Sequence, residues 1–152
     1  MSVLINPNTM TTDDDYDQLA AYFEVIHLKF NTMRNFRNYD VWSDGVDFSI
    51  DVYKMTEGFP KKETYALSDQ MQRAAVSIPS NVAEGCSRRS ENEFAHYLEI
   101  SLGSAYEVET QMEIAIRLGY VSKPLFEKSI ETVQSIEKRL TSLINNVRPA
   151  NY

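Results

Sequence analysis

From Asp40 onward, apolar residues recur every three or four positions through four long stretches, interrupted where glycine and proline fall. That period is the signature of amphipathic helices. The first stretch predicts a helix over 40–56, with Val41, Trp42, Val46, Phe48, Ile50, Val52, Tyr53 and Met55 as apolar surface and Gly58 and Pro60 stopping it. The second predicts a helix over 65–88 that buries Leu67, Met71, Ala74, Ile78 and Val82. Pro79 lies in its interior, where it removes a hydrogen bond and crowds the Ala75 carbonyl, so a kink is expected there. The third opens on Ser90-Glu91-Asn92-Glu93, a Ser-x-x-Glu capping box, and continues to Leu118 before Gly119 ends it. The fourth begins after Ser122, tolerates Pro124 in its first turn, and runs to about Asn146 through Leu125, Ile130, Val133, Ile136, Leu140 and Leu143. Four such helices with short connections predict an all-α fold, an antiparallel up-down-up-down four-helix bundle.

The preceding residues differ. A polar leader with Asp13, Asp14, Asp15 and Asp17 precedes a short amphipathic stretch from Leu19 to Phe30, where Tyr16, Leu19, Tyr22, Phe23 and Ile26 fall at helical spacing. One reading is an accessory helix. The other is that Met33 is the true start and residues 1–32 are an upstream extension. The expected organisation is a leader over 1–32, the helical domain over 33–147 and a tail over 148–152.

Composition narrows the function. With 152 residues, 43% hydrophobic and 24% charged, the chain suits one globular domain. Lys plus Arg number 15 against 22 Asp plus Glu, and a net charge of −7 gives no global field for holding nucleic acid. Cys86 is the single cysteine, which excludes an internal disulfide and a multi-cysteine zinc site and fits a reducing compartment. No apolar run reaches the ~20 residues of a membrane span, and the start lacks the basic segment of a secretion signal. A cytoplasmic protein with no membrane partner is expected.

The third helix carries two contacting faces. Phe94, Leu98, Ser101, Ala105, Val108, Met112 and Ile116 form the core stripe, while Ile100, Ser104, Glu107, Gln111, Ile114 and Leu118, with Gly103 beside them, form a second. The second stripe suggests a subunit interface. On the second helix Arg73, Ser77, Glu84 and Arg88 recur along a flank, with Asn81 at its edge. They predict either a ligand site reaching Glu107, with Arg73 binding a carboxylate in bidentate fashion, or a structural polar network at the subunit boundary, the favoured reading.

Other chemistry is thin. Glu24 with His27 and Glu93 with His96 repeat the Glu-x-x-His of di-iron bundles. Glu93, however, is committed to the capping box at a helix end, and His96 projects away from the core, so no metal and no cofactor are expected. Cys86 sits near a helix C-terminus, which raises a thiol pKa and argues against a nucleophile. Five glycines supply no phosphate loop, and no Ser/His/Asp set is present. Arg88 and Arg89, between the second and third helices, offer a possible nucleic-acid contact if repeated around a ring, supported by Arg73 and by Arg34 and Arg37; the plainer reading is that they cap a helix end.

Three segments carry a resemblance: Phe59-Pro60-Lys61-Lys62-Glu63; Gln70-x-x-Arg73 continuing through Ala74-Ala75-Val76-Ser77-Ile78-Pro79-Ser80-Asn81-Val82-Ala83-Glu84-Gly85; and Gly103-Ser104-x-x-Glu107. Over about 36–143 the chain resembles the 23S rRNA-intervening sequence protein family, also called the four helix bundle protein family. The resemblance implies an antiparallel four-helix bundle assembled into a ring, commonly a homopentamer, with no known enzyme activity. It places Gln70, Arg73, Ser77, Asn81, Glu84, Gly85, Gly103, Ser104 and Glu107 in packing and assembly. It also implies that related bundles which are basic bind nucleic acid and a reverse transcriptase; this chain departs from that branch by being acidic. The expected function is a non-enzymatic homo-oligomeric interaction protein with an unknown protein or RNA partner, and the alternative is an RNA- or ribonucleoprotein-associated accessory factor.

Overall fold

The computed structural model describes residues 17–22 and 33–148. Contacts divide the chain into two units, Met1–Met33 and Arg34–Tyr152. In the first, residues 17–22 are helical; the rest of the stretch Leu19–Phe30, with Glu24 and His27, lies outside the described residues. The second unit contains four long helices, α1 (Asp40–Glu57), α2 (Leu67–Cys86), α3 (Glu91–Arg117) and α4 (Lys123–Val147), with 3-10 turns at Phe36–Asn38 and Lys61–Glu63. The described residues are all-helical, as the period predicts.

Each helix packs on the next, and α4 closes back on α1. The contacts set antiparallel registers. Thr56 meets Gln72 while Gly45 meets Pro79 across α1 and α2, and Ser101 meets Ile78 while Gly85 meets Phe94 and Tyr97 across α2 and α3. Gln134 of α4 and Arg148, the residue that follows α4, reach Glu109 and Glu99 of α3, and Arg139 of α4 lies 3.0 Å from Asp44 on α1.

The helix ends follow local chemistry. At the start of α3 the Glu93 amide donates to Ser90 Oγ at 3.1 Å and Ser90 Oγ donates to Glu93 Oε2 at 2.7 Å, satisfying donors that the first turn leaves open. The far end closes as a Schellman motif: the Gly119 amide reaches the Ile116 carbonyl at 3.0 Å and the Tyr120 amide the Ala115 carbonyl at 2.9 Å. Gly119 is the residue that adopts a positive φ, 75°, where a side chain is strained. Tyr120 then lies 5.6 Å from the Phe59 ring and donates to Glu63 at 3.1 Å, tying the α3–α4 turn to the α1–α2 connection. That connection moves the start of α2 to Leu67, leaving Tyr65 outside the helix and almost fully exposed.

Val52, Met71, Ile78, Val82, Phe94, Leu98, Val108, Met112, Val133 and Leu140 form the centre of the core, all with no exposed surface. On α1, Val41, Phe48, Val52 and Met55 turn inward, whereas Ile50 and Tyr53 are exposed and Trp42 and Val46 are half-buried. The eight apolar positions of α1 therefore serve two faces.

Pro79 interrupts no helical turn; α2 continues through it. Its ring has no N–H for the Ala75 carbonyl, and a side chain from α1 replaces it. Ser49 Oγ lies 2.9 Å from the Ala75 carbonyl and 2.7 Å from the Gly45 carbonyl, sharing its one proton between them. Gly45 gives the proline its room: a Cβ there would lie 3.2 Å from Pro79 Cδ. Ser49→Ala leaves a buried carbonyl without a donor, which costs about 1–2 kcal/mol. Urea unfolding will read this as a lower midpoint with an unchanged slope; an unchanged midpoint would show that Ala75 does not depend on Ser49.

Candidate interaction site

The polar flank of α2 and the second stripe of α3 meet in a seam. Asn81 Nδ2 donates to Ser77 Oγ and to the Ser77 carbonyl, both at 2.8 Å. Ser104 Oγ lies 2.9 Å from Ser77 Oγ and 3.1 Å from the Ile100 carbonyl, and Ser101 donates to the Ile78 carbonyl at 2.8 Å. Small hydroxyl residues let the two helices approach closely and satisfy one another's polar atoms as they do so.

The remaining site residues stand outside this seam. Arg73 is exposed and turns to Asp69 one helical turn away, with 3.0 Å between Nε and the carboxylate. Glu107 is exposed and accepts from Gln111 Nε2 at 3.1 Å. The structure thus joins Ser77, Asn81 and Ser104, while Arg73 pairs with Asp69 and Glu107 with Gln111 on their own helices. Gln70 is exposed. Gly103 faces open space, with no atom within 4 Å of where a Cβ would lie. Along the same helix Ile100, Ile114 and Leu118 remain 40%, 45% and 53% exposed.

Arg88 and Arg89 separate. Arg88 lies 4.6 Å over the Tyr97 ring and donates to the Tyr97 hydroxyl at 2.7 Å and to Glu84 at 2.5 Å. Its backbone carbonyl accepts from Arg34 at 3.1 Å, and Arg34 also pairs with Glu91 and stacks on Phe94. Arg88 is thereby engaged in closing the α2–α3 turn, and Glu84 is its ion-pair partner. Arg89 is exposed and makes no ion pair among the described residues.

Burial pushes the Cys86 thiol up, against the lowering influence of Arg34, which disfavours the thiolate. His96 lies 3.8 Å from Glu99 on the surface, and Ser90's hydroxyl and amide hold Glu93 below the usual carboxylate range. No group of three or more potential metal-ligating His, Cys, Asp or Glu side chains occurs among the described residues. No described helix is long and apolar enough to cross a membrane.

Two features escaped the sequence. The first is a groove of about 500 Å³ between α1 and α2, lined by carbon from Trp42, Val46, Ile50, Tyr53, Val76 and Pro79. Its signal was present as the spacing of Trp42, Val46, Ile50 and Tyr53, a second helical stripe. The second is a carboxyl pair on the α3–α4 face beside a hollow of about 570 Å³. Burial, then the charge of Glu109 and a hydrogen bond with it, push Glu137 up to about 7, opposed by Lys138. Gln134 donates to Glu109 at 2.7 Å, while Glu137 Oε1 is buried without a partner.

The folded protein therefore retains on Glu137 a proton that an unfolded chain releases near 4.5. Unfolding releases it, so stability falls as pH rises from about 4.5 to about 7 and this contribution is flat above. Glu137 is half-buried, and solvent screening of the exposed part trims the effect to roughly 1 kcal/mol. Glu137→Gln will be more stable than the wild type at pH 8, with the gap closing toward pH 4.5. Parallel melting profiles across that range would refute the shared proton.

The described residues are all-helical, with a polar seam between α2 and α3 and apolar side chains left uncovered on α1, α2 and α3. Residues 37–142 match the 23S rRNA-intervening sequence protein family, and the chain belongs to that family. A solved structure from Bacteroides thetaiotaomicron VPI-5482, described as a protein with unknown function from the S23 ribosomal protein family, is similar at 27% identity with a TM-score of 0.63. The match covers 68% of this chain and 97% of that one. No curated protein matches the chain.

Proposed function

We propose that this protein is a non-enzymatic scaffold: an up-down-up-down four-helix bundle that assembles with copies of itself into a ring and offers the ring to a further partner. The cyclic antiparallel packing supports the bundle. The exposure of Ile100, Ile114 and Leu118 along one side of α3, beside the open position at Gly103, carries the assembly reading. Contact with another copy would remove these three side chains from water.

Size-exclusion chromatography with light scattering on the full chain tests it. The expected particle is a multiple of the monomer mass, about five-fold for the ring that the family resemblance implies. Glu107→Arg, which places a cation in the middle of the stripe, is expected to change the mass or melting temperature of the particle. An unchanged particle would place the contact elsewhere. A second reading, an RNA-associated factor, is favoured by the uncommitted Arg89 at the α2–α3 turn. The same chromatogram read at two wavelengths at low salt decides it: co-eluting nucleic acid that salt removes supports RNA association, and a clean particle counts against it.

A further inference from the structure

We infer that the apolar groove between α1 and α2 is the seat for the α3 stripe of a second copy. The inference rests on the homo-oligomeric reading above and adds which faces meet. The groove is about 500 Å³, and its walls hold Ile50 and Tyr53 at 48% exposure and Val76 at 40%. The stripe leaves Ile100, Ile114 and Leu118 equally bare on another side of the molecule. Groove packed on groove leaves the stripe in water, and stripe on stripe leaves the groove in water. Groove on stripe covers both with one contact, and the hydrophobic effect favours the arrangement that removes more apolar surface from water.

Charge complementarity points the same way. At the head of the groove, Arg37 lies 4.5 Å over the Phe36 ring and 5.9 Å over the Trp42 ring and has no carboxylate partner among the described residues. Midway along the stripe, the exposed Glu107 receives a hydrogen bond from Gln111 and has no cation among the described residues. Arg37 on the groove side and Glu107 on the stripe are thus two charges without an ion-pair partner among the described residues, and their signs are opposite. Shape agrees too. Tyr53 lines the groove at 48% exposure, and on the stripe a Cβ at Gly103 would meet nothing within 4 Å, so a side chain of another copy has room there. The groove's lining runs from Trp42 to Tyr53 on α1 and from Val76 to Ala83 on α2, so at 1.5 Å per residue it is about 17 Å long.

Two variants of the full chain, Ile50→Glu in the groove and Ile114→Glu in the stripe, test the pairing. Both positions are about half exposed, so each monomer is expected to keep the helical circular dichroism of the wild type. Each variant alone is expected to fall to the monomer mass by light scattering. Mixed in equal amounts they are expected to form a particle of twice the monomer mass, because one chain supplies an intact stripe and the other an intact groove. If the wild type is itself a monomer, the scaffold reading fails and this inference with it. If the wild type assembles and Ile50→Glu keeps its mass, the groove is not the seat and the scaffold reading stands. If both variants dissociate but their mixture stays monomeric, the two faces do not pack on each other and the inference is overturned. Should Ile50→Glu lose its helical signal, Val76→Glu on the opposite wall gives the same readout.

Discussion

Phe94→Ala will destabilise the protein by about 3–5 kcal/mol, the largest loss expected of any single truncation on α3. The ring has no exposed surface, and it sits where three segments converge. Tyr39, just before α1, places its ring 5.8 Å away, and the Arg34 guanidinium lies 4.4 Å from the ring centroid. Gly85, near the end of α2, admits the ring edge: a Cβ there would lie 3.1 Å from Phe94 Cδ2. Removing the ring leaves a cavity whose walls belong to α2, α3 and the segment before α1, which have no common way to collapse. It also strips Arg34 of its cation–π surface, worth about 0.5–1 kcal/mol. Phe94→Leu keeps most of the volume and should cost less than about 1.5 kcal/mol. Urea unfolding at one fixed chain concentration checks both, since assembly itself adds apparent stability. A loss below about 1 kcal/mol for the alanine variant would mean that the ring is not the hub described.

What the sequence made legible is what short-range chemistry decides. Ser90 and Gly119 mark the ends of α3 within a residue because capping box and Schellman motif are written in adjacent positions. The core stripe of α3 is likewise local: of its seven positions only Ile116 remains half-buried. The α2 start differs because a 3-10 turn at Lys61–Glu63, anchored through Glu63 to Tyr120 across the molecule, holds Tyr65 outside. That anchor depends on a residue 57 positions away. The replacement of Pro79's missing donor by Ser49 has the same character, because it exists only once the register of α1 on α2 is set.

The candidate site follows this division. Periodicity shows that α3 has a second stripe, but only the neighbouring helix shows that Ser104 and Gln111 are buried while Ile100, Ile114 and Leu118 stay outside. Counting apolar positions on α1 does not separate Val52, fully buried, from Tyr53, half in water. The partner that Arg73 takes in the structure is Asp69, a carboxylate one turn away on the same helix. Short i,i+4 pairs need no tertiary register, so they form wherever a partner lies one turn away.

Gly85→Ala will cost about 1–3 kcal/mol, although alanine is ordinarily the better helix residue by up to about 1 kcal/mol. The sign reverses because of what the added methyl meets. It would lie 2.8 Å from Tyr97 Cβ, 3.1 Å from Phe94 Cδ2 and 3.4 Å from the Phe94 carbonyl oxygen. A Cβ atom moves only with its backbone, so relief requires α3 to shift away from α2 as a unit. That shift disturbs the Ser101 hydrogen bond to Ile78 and the Ser104–Ser77 contact further along the seam. Gly103→Ala is the control, since a Cβ there meets nothing within 4 Å. In dilute, unassembled protein it should gain about 0.4–1 kcal/mol by restricting the unfolded chain. Two glycine-to-alanine changes on helices of one protein will thus move the unfolding midpoint in opposite directions. If both stabilise, the α2–α3 contact is looser at Gly85 than the geometry requires, and the close approach that orders the seam is not what holds these two helices in register.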